Sequence, residues 1–196
     1  MKKKTVALLL ALVLAVGVAA GGTMAWLLDK TDSIVNTFTA GDVDITLDET
    51  TTTYKMVPGA TISKDPKVTV TDASEFCYVF VEPTKSENFD TFMTYTVADG
   101  WTPGTGDGEG GNGVPTNVYY RTVNATDTTR TFSVLSGDTV SVKSDVTKDQ
   151  LNDVATTNQP TLTVTAYACQ LAKTSTESFT VGEAWTEVNG LNNSGN

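Results

Sequence analysis

The sequence predicts an all-β fold, a jelly-roll-like two-sheet sandwich with one or two short peripheral helices. Three observations predict it. About nine short β-branched or aromatic runs are separated by turn residues at irregular spacing. Charged residues make up only 18% of the 196-residue chain, while Thr, Val and Ser dominate, the balance of a β-rich extracellular domain. Finally, the chain carries no long heptad and no repeat of 20–50 residues, which removes coiled coils and solenoids.

Taken in order, Ile34 to Ala40 and Val43 to Leu47 alternate apolar with polar residues and are joined at Gly41-Asp42. Lys67 to Val70, Phe76 to Val81 and Phe92 to Val97 follow, then Val118 to Val123, Thr131 to Leu135, Val140 to Lys143 and Pro160 to Gln170. Ser136-Gly137-Asp138, between two of these, reads as a hairpin turn. Two segments break the pattern. Thr147-Lys148-Asp149-Gln150 and Thr180-Val181-Gly182-Glu183 have the spacing of a capping box, in which a hydroxyl and the side chain three residues on satisfy each other's backbone donors. Leu151 and Val154 give the first helix an apolar stripe; Ala184, Trp185 and Val188 give one to the second, which Gly190 can terminate. Both are expected to close the ends of the sandwich. Pro103 to Pro115, with six glycines between, reads as a flexible surface loop, and residues 190–196 as a disordered tail.

The N-terminus reads as an export signal. Lys2, Lys3 and Lys4 form a positive region and Val6 to Ala20 an apolar one. Gly21-Gly22 then breaks the helix, and Thr23 and Ala25 are small residues where a signal peptidase reads. The apolar run is shorter than the ~20 residues of a comfortable membrane span. Cleavage between Ala25 and Trp26 is expected, which gives a signal peptide over 1–25, a free N-terminal segment over 26–40 and a sandwich domain over 41–189. Of the 13 basic residues three lie in the signal, and of the 23 acidic residues none does. The secreted part therefore holds 10 basic against 23 acidic residues, about −13. Such a charge repels nucleic acid and anionic lipid, so neither is an expected partner.

The chemistry is mostly an absence. The chain has no histidine, which removes the HExxH zinc site, the Ser-His-Asp and Cys-His arrangements, and histidine as general base. No catalytic residue, cofactor site or metal site is assigned. Asp107 to Asn112 lacks the alternating acids and distal bidentate Glu of a calcium loop. Asp42, Asp44, Asp48 and Glu49 form a second acidic group that reads as a solvated edge. Cys77 and Cys169 sit inside strong strand candidates. An even count in an oxidising compartment suggests one bridge, and the alternative is two small residues kept reduced in adjacent strands. Tyr78, Phe80, Tyr119, Tyr120, Tyr167 and Trp185 are read as sandwich core ahead of a ligand platform.

Lys2-Lys3-Lys4 with the apolar run, Gly21-Gly22-Thr23-Met24-Ala25-Trp26, and Asn36-Thr37-Phe38-Thr39-Ala40-Gly41-Asp42-Val43-Asp44-Ile45 together resemble the TasA/camelysin family of Gram-positive secreted proteins. Val57-Pro58-Gly59, Lys64-Asp65-Pro66-Lys67-Val68, Glu75 to Val81 and Ala166 to Gln170 are similar to blocks along the same family. The resemblance implies a jelly-roll-like domain cut by a dedicated ER-type signal peptidase. It also implies polymerisation into extracellular biofilm-matrix fibres, in which the new N-terminal segment of one subunit adds as a strand to the next, alone or with an accessory matrix protein. The camelysin branch is described as a surface metalloprotease, an activity that a chain without histidine does not support.

The donor-strand expectation has its own physical logic. Once free, the segment carries Trp26, Leu27, Leu28, Ile34, Val35 and Phe38, and burying such a side chain stabilises by ~1.5–3 kcal/mol. Backbone hydrogen bonds to an open sheet edge give affinity, and pockets for alternate side chains give register. A head-to-tail contact of this kind does not close, so it propagates a filament. The competing expectations are a monomeric cell-surface adhesin or accessory subunit, whose own strand 34–40 completes its sheet, and a camelysin-like surface peptidase.

Overall fold

The computed structural model describes residues 43–50, 55–72, 74–124, 126–154 and 158–193. The expected strand over 34–40 lies outside them. Among the described residues ten strands form three antiparallel sheets. The first orders β1 (Ile45–Asp48), β3 (Lys67–Val70) and β8 (Thr131–Ser133); the second orders β2 (Thr61–Ser63), β9 (Thr139–Val142) and β5 (Met93–Thr94). The third and largest orders β10 (Leu162–Gln170), β4 (Cys77–Lys85), β7 (Tyr119–Val123) and β6 (Thr102–Pro103). The helices are α1 (Phe89–Phe92), α2 (Lys148–Val154) and α3 (Val181–Asn193).

The fold is a β-sandwich with the four-stranded sheet as one layer and the two three-stranded sheets as the other. Cys77, Val79, Val81 and Val123 point from the large sheet into a core shared with Val68, Val70 and Phe132 of the first small sheet and Met93, Val140 and Val142 of the second. Because side chains alternate along a strand, Tyr78 and Phe80 of β4 emerge on the opposite face. There α3 covers them: Phe80, Val114, Val118, Ala184, Trp185 and Val188 form a second core. Trp185 lies 5.4 Å from the rings of both Phe80 and Tyr167, at 57° and 87°, in the tilted arrangements aromatic quadrupoles favour. The uninterrupted apolar run of β4 thus marks a strand buried on both faces. β7 pairs with β4 only from Cys77 to Val81; Pro83, which has no N–H to offer, falls just beyond that ladder.

Both capping boxes form. Thr147 N donates to Gln150 Oε1 at 2.8 Å and Gln150 N to Thr147 Oγ1 at 3.2 Å; Thr180 N donates to Glu183 Oε2 at 2.9 Å and Glu183 N to Thr180 Oγ1 at 3.3 Å. Glu183 also accepts from Lys173 Nζ at 2.7 Å. The Lys173 ammonium first, and then the Thr180 donors, hold its carboxyl down at about 2, against an ordinary 4.5. A carboxyl depressed in the folded state contributes stability above its ordinary value and loses it as pH falls toward the folded one. The melting temperature of the wild-type chain should therefore fall between pH 4.5 and about 2, and that of Glu183→Gln should fall less over the same window in a thermal melt followed by circular dichroism.

Several expectations are corrected. Helix α3 does not close an end of the sandwich; it lies against a sheet face and runs through Gly190 to Asn193, so the helix takes in the first part of the tail, while 194–196 lie outside the described residues. Ser136-Gly137-Asp138 is not a hairpin turn. Its flanking strands β8 and β9 belong to different sheets, and the turn, with φ of 64° at Gly137 and 53° at Asp138, carries the chain from one to the other. The strand expected over 92–97 is broken. Phe92 ends α1, β5 holds two residues, and Val97 makes a single bridge to Leu135.

The glycine-rich loop is closed by its own bonds. Gly104 N donates to Val118 O, Gly106 N to Val114 O and Gly113 N to Gly106 O. Asn112 Oδ1 accepts from Thr105 N at 2.9 Å and Val114 N at 3.1 Å. A Cβ on Gly104 would lie 2.1 Å from the Pro115 carbonyl oxygen, so the close approach requires glycine there.

Candidate strand-acceptor groove

A groove of about 480 Å³ is lined by strands of both layers. Its floor is Ile62 of β2, Val140 of β9, Met93 of β5 and Phe89 of α1. One wall is the start of β10, with Leu162, Thr163 and Val164 preceded by Gln159, Pro160 and Thr161; the other is Met56, Glu49 and Lys64. Its position follows from the sheet topology. Among the described residues β10 pairs only with β4 and β2 only with β9, so within them each lies at the edge of its sheet, and the groove is lined by both. An edge strand presents a row of backbone donors and acceptors ready for another strand.

The alternation of each strand aims apolar side chains inward. Leu162, Val164 and Ala166 of β10 pack on the first core, as does Ile62 of β2. Leu47 of β1 lies opposite the fully buried Val68 and so shares its face, yet it stays 39% exposed. Val57, next to Met56, is 57% exposed.

The lining also carries polar groups, Gln159, Thr161 and Thr163 together with a buried ion pair. Lys64 Nζ donates to Glu49 Oε1 at 2.8 Å and Oε2 at 3.0 Å, with only 9% and 18% of the two side chains exposed. Lys64 follows Ile62 by two residues, so the ammonium projects from the same face as that isoleucine.

The residues singled out in the sequence fall as follows. Ala25, Trp26, Leu27, Leu28, Ile34, Val35 and Phe38 lie outside the described residues, as does Asp42. Cys77 and Cys169 are on paired strands, but the register sets Cys169 opposite Tyr78 and Gln170 opposite Cys77. The offset of one residue puts the two sulfurs on opposite faces of the sheet, and both thiols are free. The expected bridge is not made. Burial pushes the Cys77 thiol up to about 11 and raises that of Cys169, so neither is poised as a thiolate nucleophile. Of the six aromatics, Tyr78, Phe80, Tyr120, Tyr167 and Trp185 belong to the second core and Tyr119 to the first.

Sequence reasoning missed the groove residues themselves. Leu162, Val164 and Ile62 read as ordinary inward positions, and nothing local in a strand says that it will be an edge. Arg121 was also missed. Its guanidinium lies 3.7 Å from the centre of the Phe132 ring and 5.0 Å from that of Trp101, and burial lowers its pKa.

Compared with known proteins, residues 1–86 match the model of the camelysin metallo-endopeptidase family. No curated protein and no solved structure matches the chain. The family's name implies a catalytic metal, and the donor set does not fit one. The chain has no histidine, the two thiols face away from each other across a sheet, and among the described residues no three Cys, Asp or Glu side chains converge on one point. Over residues 1–86 the chain is similar to the camelysin family, in keeping with the TasA/camelysin resemblance of its N-terminal motif.

Proposed function

We propose that this is an exported structural protein that builds extracellular biofilm-matrix fibres by strand donation. The observation that carries the reading is the groove beside β10 and β2, with Ile62, Met93, Val140, Leu162 and Val164 in its lining, in a chain whose own N-terminal segment is rich in large apolar residues. The occupant is residues 26–40 of a second copy, freed by a signal peptidase of the ER type. Trp26, Leu27, Leu28, Ile34, Val35 and Phe38 supply the apolar anchors, and the edges of β10 and β2 supply backbone partners. Uncleaved, the segment stays tethered to the apolar leader and is not available to a neighbour. Each copy then donates at one point and accepts at another, which leaves a free donor and a free groove at every stage of growth. An accessory matrix protein with a similar segment would enter by the same route.

Negative-stain electron microscopy of residues 26–196 beside residues 40–196 tests this. Filaments from the first and monomers from the second, with the β-sheet circular dichroism of both alike, are expected. Filaments from both, or monomers from both, overturn it; the second outcome would fit a monomeric adhesin whose segment completes its own sheet.

A further inference from the structure

The geometry points to a second binding site, built around Arg121, for a neutral saccharide. A pocket of about 300 Å³ is lined by Arg121 and Thr122 of β7, by Asp127, Thr128 and Thr129 of the segment that joins β7 to β8, and by Phe132 of β8. It shares no residue with the strand-acceptor groove, so it stands or falls independently of strand donation.

Arg121 precedes the buried Val123 by two residues along β7, so its side chain leaves the strand on the inward face. There its guanidinium is held by contacts that use none of its N–H groups. Its carbon lies 3.7 Å from the centre of the Phe132 ring and 5.0 Å from that of Trp101, and a Cβ on Gly100 would come within 2.6 Å of Nη2. The two rings meet edge-on at 81°, and Trp101 Nε1 donates to Ser133 O at 2.8 Å. Among the described residues no acceptor meets the guanidinium. Yet Lys64, Lys67, Lys85 and Lys173 each have an acid within 4.0 Å. An arginine fixed by stacking, with its planar fork of donors unused, is preorganised for a ligand that accepts hydrogen bonds.

The rest of the wall sets the class of that ligand. Asp127 Oδ2 accepts from Asn124 N at 2.8 Å, which holds the carboxylate in place and leaves Oδ1 without a partner among the described residues. The charge of Asp127 acts on Arg121, but no ion pair joins the two. The hydroxyls of Thr122, Thr128 and Thr129 have no partner among the described residues either. The wall therefore offers a fork of donors, one acceptor and three groups that act as either, with one charge of each sign. A carboxylate ligand would gain Arg121 but meet Asp127, and a cation would do the reverse. A neutral saccharide offends neither charge. Each of its hydroxyls both accepts and donates, so neighbouring ones can take N–H groups from the guanidinium while another donates to Asp127. The volume lies at the small end of ligand sites, suited to a sugar ring and too small for a large cofactor.

Saturation-transfer NMR on residues 26–196 tests the inference, with maltotriose, cellotriose and xylotriose as probes. The method reads the ligand, so it works on monomers and filaments alike. Transfer to the ring protons of at least one sugar is expected at millimolar concentration. Arg121→Met keeps the stacked length and removes the donors; Asp127→Asn keeps an oxygen for Asn124 N and replaces the free acceptor with a donor. Each should weaken binding about tenfold, the size expected when hydrogen bonds to a charged group are lost. Circular dichroism melts check that both fold, and Asp127→Asn carries the test if Arg121→Met does not. Transfer to none of the three sugars, or binding unchanged in the variants that fold, overturns the inference. Displacement of the sugar by an equal concentration of glutarate or of N-acetylglycinamide also overturns it, and would assign the pocket to carboxylates or to peptide groups.

Discussion

Val164→Asp is expected to abolish filament formation while leaving the domain folded. Val164 lies on the inward face of an edge strand and lines the groove, and its cross-strand neighbour is Pro83, which has no charge to set against a carboxylate. In the monomer the position is half-buried, and the aspartate can turn toward the water that fills the groove, so its cost there should be about 1–2 kcal/mol. Under a donated strand that water is gone. An uncompensated carboxylate sealed in an apolar site costs several kcal/mol, and each ~1.4 kcal/mol is a factor of ten in affinity. The critical concentration should rise more than a hundredfold, while the thermal melt shifts by only a few degrees. Filaments at the wild-type concentration would show that the groove is not where copies meet.

The largest effect on stability is expected at Phe80→Ala. Phe80 is fully buried between the outer face of the large sheet and α3. Its ring lies 5.4 Å from that of Trp185, 6.2 Å from Tyr78 and 6.3 Å from Tyr120. Removing it deletes the centre of the second core, where helix and sheet are both rigid and collapse poorly, so a loss of about 3–5 kcal/mol is expected. Against a typical domain stability of ~5–15 kcal/mol that is severe, and α3 should undock first. Tyr78→Phe is the control. The Tyr78 hydroxyl donates to Phe179 O over a long 3.4 Å, so its loss should cost under about 1 kcal/mol. Urea unfolding of the three proteins measures both; a Phe80→Ala loss below that of Tyr78→Phe would mean the second core carries little of the fold.

What the sequence made legible depended on whether the determinant was local. The two capping boxes were readable because the hydroxyl and its partner sit three residues apart, and both form. Strands β3, β4, β7, β9 and β10 were readable from β-branched and aromatic runs. The apolar stretch through Val79-Phe80-Val81 announced a strand, yet which element would cover its second face is a tertiary fact, and α3 arrives from a hundred residues away. Cys77 and Cys169 show the same limit. Their strands pair as neighbours, but a one-residue offset in register decides that the thiols never meet. The glycines of the 103–115 loop suggested mobility because composition does not reveal the bonds of Asn112 and Gly104. The groove was the least legible, since being an edge strand is a property of the sheet and not of Leu162 or Val164. The Glu49–Lys64 pair is likewise assembled from two segments that composition alone does not join.

The most direct test separates donating from accepting. A chain of residues 40–196 keeps the groove but has no segment to give, and residues 26–196 carrying Val164→Asp keep the segment but have no usable groove. Sedimentation velocity should find each alone as a monomer and an equimolar mixture as a one-to-one dimer that grows no further. A mixture that stays monomeric, or one that goes on to filaments, would contradict assembly by strand donation into this groove.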